Sequence, residues 1–211
     1  MPLQAIDWSV VVVGRWNRAI LTPQGIITRL FGKPEGTQFG LEVPVDAIGP
    51  YRVVHDDLVV MADSSRLMVE IQQNSYDGLS KAMRIARKAM SELPETPFIA
   101  AGYNVCYQGN VSDECCGPLM TASQHAWDAS LNEAGFPVTR RAISRTAEWE
   151  GGKILVTLSQ DSDDVRLAFN FERGGNDAEM KAWLEVSVDD IRTQVGAICT
   201  SVLQLRQEAL P

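Results

Sequence analysis

The stretch that decides the fold is residues 74–108, NSYDGLSKAMRIARKAMSELPETPFIAAGYNVCYQ, near the middle of the 211-residue chain. Its first half carries apolar residues in alternating steps of three and four, the spacing that lines one face of an α-helix. Asn74 can cap this helix, and Pro94 ends the pattern. Residues 98–107 are apolar and rich in strand-forming residues. The stretch therefore predicts a buried helix followed by a buried strand. The helix stripe is Tyr76, Leu79, Met83, Ala86, Met90 and Leu93.

On the N-terminal side, residues 8–14 contain four consecutive valines, which is typical of an interior strand covered on both faces. Thr22 and Pro23 predict the N-cap and first position of a helix. Turn-forming residues then separate three strand-like stretches, at roughly residues 39–45, 51–61 and 66–72. His55-Asp56-Asp57 lies inside the second stretch and could itself form a turn.

On the C-terminal side, the same order of elements recurs. Pro118 can open a second helix, whose apolar positions include Met120, Trp127, Leu131 and Ala134. Three strands are predicted at residues 138–149, 153–160 and 165–173. The chain ends on a long apolar stripe, which predicts one long helix or a helix that starts near Ser187, with Ser187 and Asp190 as a possible capping box. The stripe is Leu184, Val188, Ile191, Val195, Ile198, Val202 and Leu205.

The element order, strand, helix, three strands, helix, therefore occurs twice. Repeated units that each leave an apolar sheet face uncovered commonly close a core by packing on one another. We predict an α+β fold of two similar tandem halves, residues 1–95 and residues 96–211, packed as one compact unit. In this prediction each half is a strand, a helix, a three-stranded antiparallel meander and a helix, and the halves are related by a pseudo-two-fold axis.

Composition narrows the possible partners. The chain has 27 acidic and 19 basic residues, and its formal charge of -8 disfavours a nucleic-acid partner. No apolar run reaches the roughly 18 residues of a membrane span, and the N-terminus lacks the pattern of a secretion signal. We therefore expect a soluble, cytoplasmic protein that does not bind membranes, in which the four cysteines are reduced thiols.

Cys106, Cys115, Cys116 and His125 are the nearest approach to a metal-binding group. Their spacing does not fit zinc sites, because adjacent cysteines cannot easily face one ion and Cys106 lies in an apolar strand. Buried thiols that pack as small hydrophobic side chains are the favoured interpretation. A nucleophilic pair of Cys116 and His125 would lack an orienting third residue. We predict no catalytic residue, no metal site and no cofactor.

Two aspartate clusters, His55-Asp56-Asp57 and Asp161-Ser162-Asp163-Asp164, could hold a hard cation such as magnesium. Aspartate is also a preferred residue of hairpin turns, and the turn interpretation is favoured. The chain has no glycine-rich phosphate loop, no Gly-x-Ser-x-Gly elbow and no His-Glu-x-x-His helix. These absences weaken the prediction of an enzyme without excluding it.

The strongest signals concern packing and duplication, so we predict a non-enzymatic protein-interaction or assembly subunit. Its partner would be another protein or a second copy of the chain. The C-terminal stripe is longer than one small meander needs, so Ile198, Val202 and Leu205 are predicted to bind the partner. Two alternatives stay open: a small-ligand-binding domain with a cleft between the halves, and, less favoured, a metal-dependent hydrolase that uses the aspartate clusters and His55.

Overall fold

A computed structural model describes residues 3–44, 49–113, 116, 119 and 126–205. The described residues form a single antiparallel sheet of nine strands, in the order β2-β3-β4-β5-β1-β6-β9-β8-β7. The α+β class is confirmed, but the sheet is larger than the predicted three-stranded meanders, because β1 and β6 pair and join all strands. The strands are β1 (Gln4–Gly14), β2 (Gly40–Glu42), β3 (Arg52–His55), β4 (Leu58–Ala62), β5 (Arg66–Ile71), β6 (Phe98–Asn110), β7 (Arg140–Trp149), β8 (Gly152–Asp161) and β9 (Asp164–Gly174).

Five helical segments accompany the sheet in the described part of the chain, and none of them is both long and apolar enough to span a membrane. Of the predicted second helix, the structure describes α3, while Pro118, Met120 and His125 lie outside the described residues. The segments are α1 (Pro23–Gly25, continuing as a π-helical turn over Ile26–Leu30), α2 (Tyr76–Glu92), α3 (Ala126–Glu133), α4 (Asp177–Trp183) and α5 (Val188–Ala197, continuing as a π-helical turn over Ile198–Val202).

The core lies between one face of the sheet and the helices. In β1, Val10 and Val12 are fully buried beneath α2, whereas Val11 and Val13 are only half-buried. The prediction of a central strand is confirmed. The prediction that both faces of this strand are covered is wrong, because α1, α2, α4 and α5 pack on the same side of the sheet.

Asn74 has a different role from the one predicted. Ser75 caps α2 through its side chain, which accepts a hydrogen bond from the Gly78 backbone N–H. The Asn74 side chain instead accepts a hydrogen bond from Trp8 N at 2.8 Å and donates one to Ala5 O at 3.2 Å. These bonds tie the start of α2 to β1 at a bulge, where the pairing with β6 shifts register.

The aspartate clusters form hairpin turns. Asp56 and Asp57 both have positive φ and join β3 to β4, so the stretch predicted as one strand is split in two. A two-residue turn with positive φ at both positions matches the twist of the flanking strands, and Asp tolerates this conformation. Glu150 and Gly151 join β7 to β8 in the same way.

The C-terminal region contains two helices rather than one. The side chain of Asn176 caps α4 in a capping box with Glu179. Ser187 caps α5, which confirms a helix starting near this residue, but its hydroxyl accepts from Asp189 N and no Ser187–Asp190 capping box forms. Helix α5 packs against α2, where the Arg192 guanidinium lies 5.3 Å from the centre of the Tyr76 ring.

Candidate functional site

A metal-dependent hydrolase that uses His55 and the aspartate clusters would need the imidazole within hydrogen-bond reach of two carboxylates. His55 Nε2 lies 3.5 Å from Asp56 Oδ2, and the Phe31 ring packs edge-on against the imidazole at 5.0 Å. Within the described ranges, no group of three or more His, Cys, Asp or Glu side chains is placed to hold a metal ion. The geometry around His55 is that of a half-buried residue at the end of a strand.

Asp56 and Asp57 do line a cavity of about 520 Å³, but its other polar walls are cationic. Lys33 Nζ lies 3.3 Å from Asp56 Oδ2. Four positive charges around two carboxylates repel a divalent cation, so this cavity does not favour a magnesium site. The four cations are Lys33, Lys81, Arg84 and Lys88.

Cys106 and Cys199 show no sign of activation. Cys106, Cys116 and Cys199 are buried, and Cys115 lies outside the described residues. Burial raises the pKa of Cys106, although its hydrogen bond with Arg166 opposes the shift. Burial raises the pKa of Cys199 to about 12. A nucleophilic thiol needs the opposite shift, so these two residues suit packing rather than catalysis.

We expect iodoacetamide at pH 8 to label Cys199 at least about a hundredfold more slowly in the folded protein than in urea. With a pKa of about 12, roughly one thiol in ten thousand is ionised, against roughly a quarter for an exposed cysteine. Mass spectrometry of the labelled peptides measures the two rates. Equal rates in the folded and unfolded protein would contradict the burial of this thiol.

The sheet face opposite the helices is the most extensive candidate site, and we name it the open face. It is formed by the strand residues that alternate with the core-facing ones, and none of the described helices packs on it. Ser9, Val59 and Cys106 lie on this face and are buried by their neighbours. Val11, Val13, Met61 and Met68 form an apolar cluster there. Met61 lies opposite Met68, Met68 lies opposite Val11, and all four side chains are half-buried.

A row of polar side chains crosses the open face beside the apolar cluster. Asn104 Nδ2 donates to Ser9 Oγ at 3.0 Å, and Asn170 Nδ2 donates to Asn104 Oδ1 at 2.6 Å. These bonds link β1, β6 and β9 at the centre of the sheet. These hydrogen bonds hold the side chains of the polar row in place beside the apolar cluster, because each amide is bonded to a side chain on the next strand.

Charged side chains surround this centre in nearly equal numbers. Arg52 binds Glu42 at 2.6 Å and Glu70 at 2.9 Å, and these hydrogen bonds raise the pKa of the guanidinium although burial opposes the shift. At the bulge, Asp7 pairs with Arg166 at 3.1 Å. Strand register places five cations on this face, Arg52, Arg66, Arg140, Lys153 and Arg166, together with six carboxylates, Glu42, Glu70, Glu148, Asp161, Asp164 and Glu172.

The predicted partner-binding residues occupy three different environments. Val202 is 69% exposed, Ile198 is half-buried, and Leu205 is 3% exposed within the core. Only Val202 therefore presents an exposed apolar surface at the end of α5. Sequence reasoning missed the open face, because consecutive valines do not reveal which strand face is left uncovered.

Three cavities each lie within one predicted half of the chain rather than between the halves. No protein-family model matches this sequence. Comparison with curated proteins likewise gives no significant match.

Proposed function

We propose that this chain is a non-enzymatic, cytoplasmic assembly subunit that pairs with a second copy of itself through the open face. The observation that carries this proposal is the apolar cluster of Val11, Val13, Met61 and Met68 on a sheet face without a described helix. An antiparallel sheet can keep one face in water, but such a face is then usually polar. Apolar side chains grouped at its centre favour a partner that covers them.

The size of the open face suits a stable dimer. Nine strands about 4.8 Å apart span roughly 40 Å, and six residues of strand extend roughly 20 Å. The face therefore offers on the order of 800 Å², which is the area that each partner of a typical stable complex buries.

Charge favours a second copy as the occupant. Each chain carries a formal charge of -8, so two copies repel one another over most of their surfaces. On the open face, cations and carboxylates are nearly balanced, and rows such as Glu148, Lys153 and Glu172 alternate in sign. Two such faces can meet with little net repulsion and with opposite charges in reach of each other.

We also propose that the two halves arose by duplication and are related by a pseudo-two-fold axis. Supporting features are the equivalent strand orders, β3-β4-β5-β1 and β7-β8-β9-β6, and the matching two-residue turns at Asp56-Asp57 and Glu150-Gly151. The antiparallel pairing of β1 with β6 places Val10 opposite Tyr103. A two-fold axis near this pair would relate the two strands.

A second candidate docking surface is the end of α5. It is favoured by Val202, an exposed valine at the end of an amphipathic helix whose other apolar residues pack inward. Ile198 and Leu205 would support this surface from beneath, because the first is half-buried and the second is in the core. Variants on each surface are therefore needed to decide whether the dimer interface lies at the end of α5 or on the open face.

We expect sedimentation velocity to show a dimer for the wild type and a monomer for Met68→Glu. Each new carboxylate would lose its hydration against the apolar side chains of the partner copy, and the nearby Arg52 is already paired with Glu42 and Glu70. Leu131→Glu on α3 is the matched control, because Leu131 is an exposed apolar residue outside the open face. The control should remain dimeric with the wild-type melting temperature. Met68→Glu should still show a cooperative melting transition, lowered by the loss of the stabilisation that dimerisation provides.

Val202→Asp separates the two surfaces. If this variant becomes monomeric while Met68→Glu stays dimeric, the interface lies at the end of α5 and the open-face proposal is wrong. A monomeric wild type at all protein concentrations that can be measured would remove self-association as the function.

A further inference from the structure

A second site, independent of the open face, lies where the turn between β7 and β8 meets α4 and α5. It is a cavity of about 490 Å³, lined by Trp149, Glu150, Arg173, Trp183 and Asp190 among others. This volume lies within the range of cavities that hold small organic ligands. We name it the tryptophan cavity.

Two buried N–H donors at this cavity have no acceptor among the described residues. They are Nε1 of Trp183, a side chain only 2% exposed, and Nε of Arg173. A buried donor without an acceptor costs about 1–3 kcal/mol. A ligand whose carbonyl, ester or hydroxyl oxygen inserts between the side chains that cover these nitrogens would remove this cost.

The side chains of Trp183 and Arg173 are held in place, so their N–H groups cannot readily rotate toward another acceptor. The Trp183 ring stacks on Tyr103 at 5.8 Å and meets Trp149 edge-on at 5.3 Å. A Cβ at Gly152 would lie 2.7 Å from the ring, so this glycine lets the indole pack directly on the β8 backbone. Arg173 is held through its terminal nitrogens, since Nη1 donates to Glu150 O at 2.8 Å and Nη2 lies 3.6 Å from Glu179 Oε1.

The charges at the cavity favour a cation. Glu150, Glu179 and Asp190 supply three carboxylates against the single guanidinium of Arg173. Glu179 is occupied by Arg173 and by the N-terminus of α4, whereas the carboxylates of Glu150 and Asp190 have no ion-pair partner among the described side chains. Indole rings beside carboxylates recognise organic cations through cation–π attraction.

We propose that the tryptophan cavity binds a small organic ammonium compound that also carries a hydrogen-bond acceptor. The ammonium group would lie against the Trp149 ring, near the carboxylates of Glu150 and Asp190. The acceptor oxygen would receive hydrogen bonds from Trp183 Nε1 and Arg173 Nε. The cavity lined by Lys81 and Lys88 has the opposite charge, so the two cavities select different ligands.

Three probes test separately whether the cavity recognises the ammonium group and whether it recognises the acceptor oxygen. Acetylcholine carries both a quaternary ammonium group and an ester oxygen, tetramethylammonium carries only the cation, and 3,3-dimethylbutyl acetate is the uncharged analogue of acetylcholine. Isothermal titration calorimetry and tryptophan fluorescence of the full chain measure binding. We expect acetylcholine to bind about threefold to tenfold more tightly than either of the other two probes.

Asp190→Asn should weaken acetylcholine binding about threefold or more, while the binding of the neutral ester stays unchanged. Asp189→Asn is the matched control, because Asp189 lies in the same first turn of α5 but does not line the cavity. Trp183→Phe should reduce acetylcholine binding to the level of tetramethylammonium, because it removes the N–H donor and keeps an aromatic ring.

Equal binding of acetylcholine and the neutral ester would overturn the proposed cation site. An equal loss in Asp189→Asn and Asp190→Asn would also overturn it, because general electrostatic attraction would then explain the effect. The absence of binding by both charged probes, with a folded protein shown by its melting curve, would exclude this ligand class. None of these outcomes depends on whether the chain forms a dimer.

Discussion

Ile191→Asp is expected to leave the chain unfolded at room temperature. Ile191 is fully buried in α5, at the place where this helix packs against α2. A carboxylate there would be far from water and without a cation, and it would cost several kcal/mol or more. Domains of this size are stable by only about 5–15 kcal/mol, so a single buried charge can remove most of the free energy of unfolding.

Val202→Asp is the matched comparison, because Val202 belongs to the same apolar stripe but is 69% exposed. Thermal melting followed by circular dichroism should show a transition near that of the wild type for this variant and none for Ile191→Asp. Leu205→Asp should resemble Ile191→Asp, since Leu205 is 3% exposed. A normal melting curve for Ile191→Asp would show that α5 does not contribute to the core.

The regular elements were predictable because their signals are local. The apolar spacing of α2 recurs with the helical period, and its buried face carries Leu79, Met83 and Met90 as expected. Thr22 and Pro23 begin α1 because an N-cap side chain and a proline at the first position act within one turn. The turn at Asp56-Asp57 follows from residues that tolerate positive φ.

The features that the sequence did not predict depend on contacts between distant residues. Pairing of β1 with β6 joins two sets of strands into one sheet, and no local pattern specifies that pairing. The apolar spacing of Leu184 and Val188 continues through the break between α4 and α5, so the sequence leaves open whether one long helix or a helix starting near Ser187 forms. The tryptophan cavity brings Trp149, Arg173 and Trp183 together from a strand end, a second strand and a helix.

Raising the pH from 8 to 11 is expected to lower the free energy of unfolding by several kcal/mol. Burial raises the pKa of Tyr103 and of Tyr107 well above the ordinary tyrosine value, and that of Cys199 to about 12. In the unfolded chain these groups titrate near 10 for tyrosine and 8.5 for cysteine. The unfolded state therefore loses protons first. Stability falls as pH rises above about 8.5 and falls more steeply above about 10, by about 1.4 kcal/mol per pH unit for each group.

Tyr103→Phe isolates one contributor to this effect. The Tyr103 hydroxyl is buried and has no hydrogen-bond partner among the described residues, so at pH 8 its removal should be neutral or stabilise the fold by about 1 kcal/mol. Tyr107→Phe removes the 3.2 Å hydrogen bond with Tyr76 and should destabilise the protein at pH 8. Urea unfolding at pH 8, 9, 10 and 11 measures both variants. Above pH 10, the free energy of unfolding should fall less steeply with pH for Tyr103→Phe than for the wild type, by about 1.4 kcal/mol per pH unit. A wild type equally stable at pH 8 and pH 11 would show that these hydroxyls and the Cys199 thiol ionise freely in the folded chain.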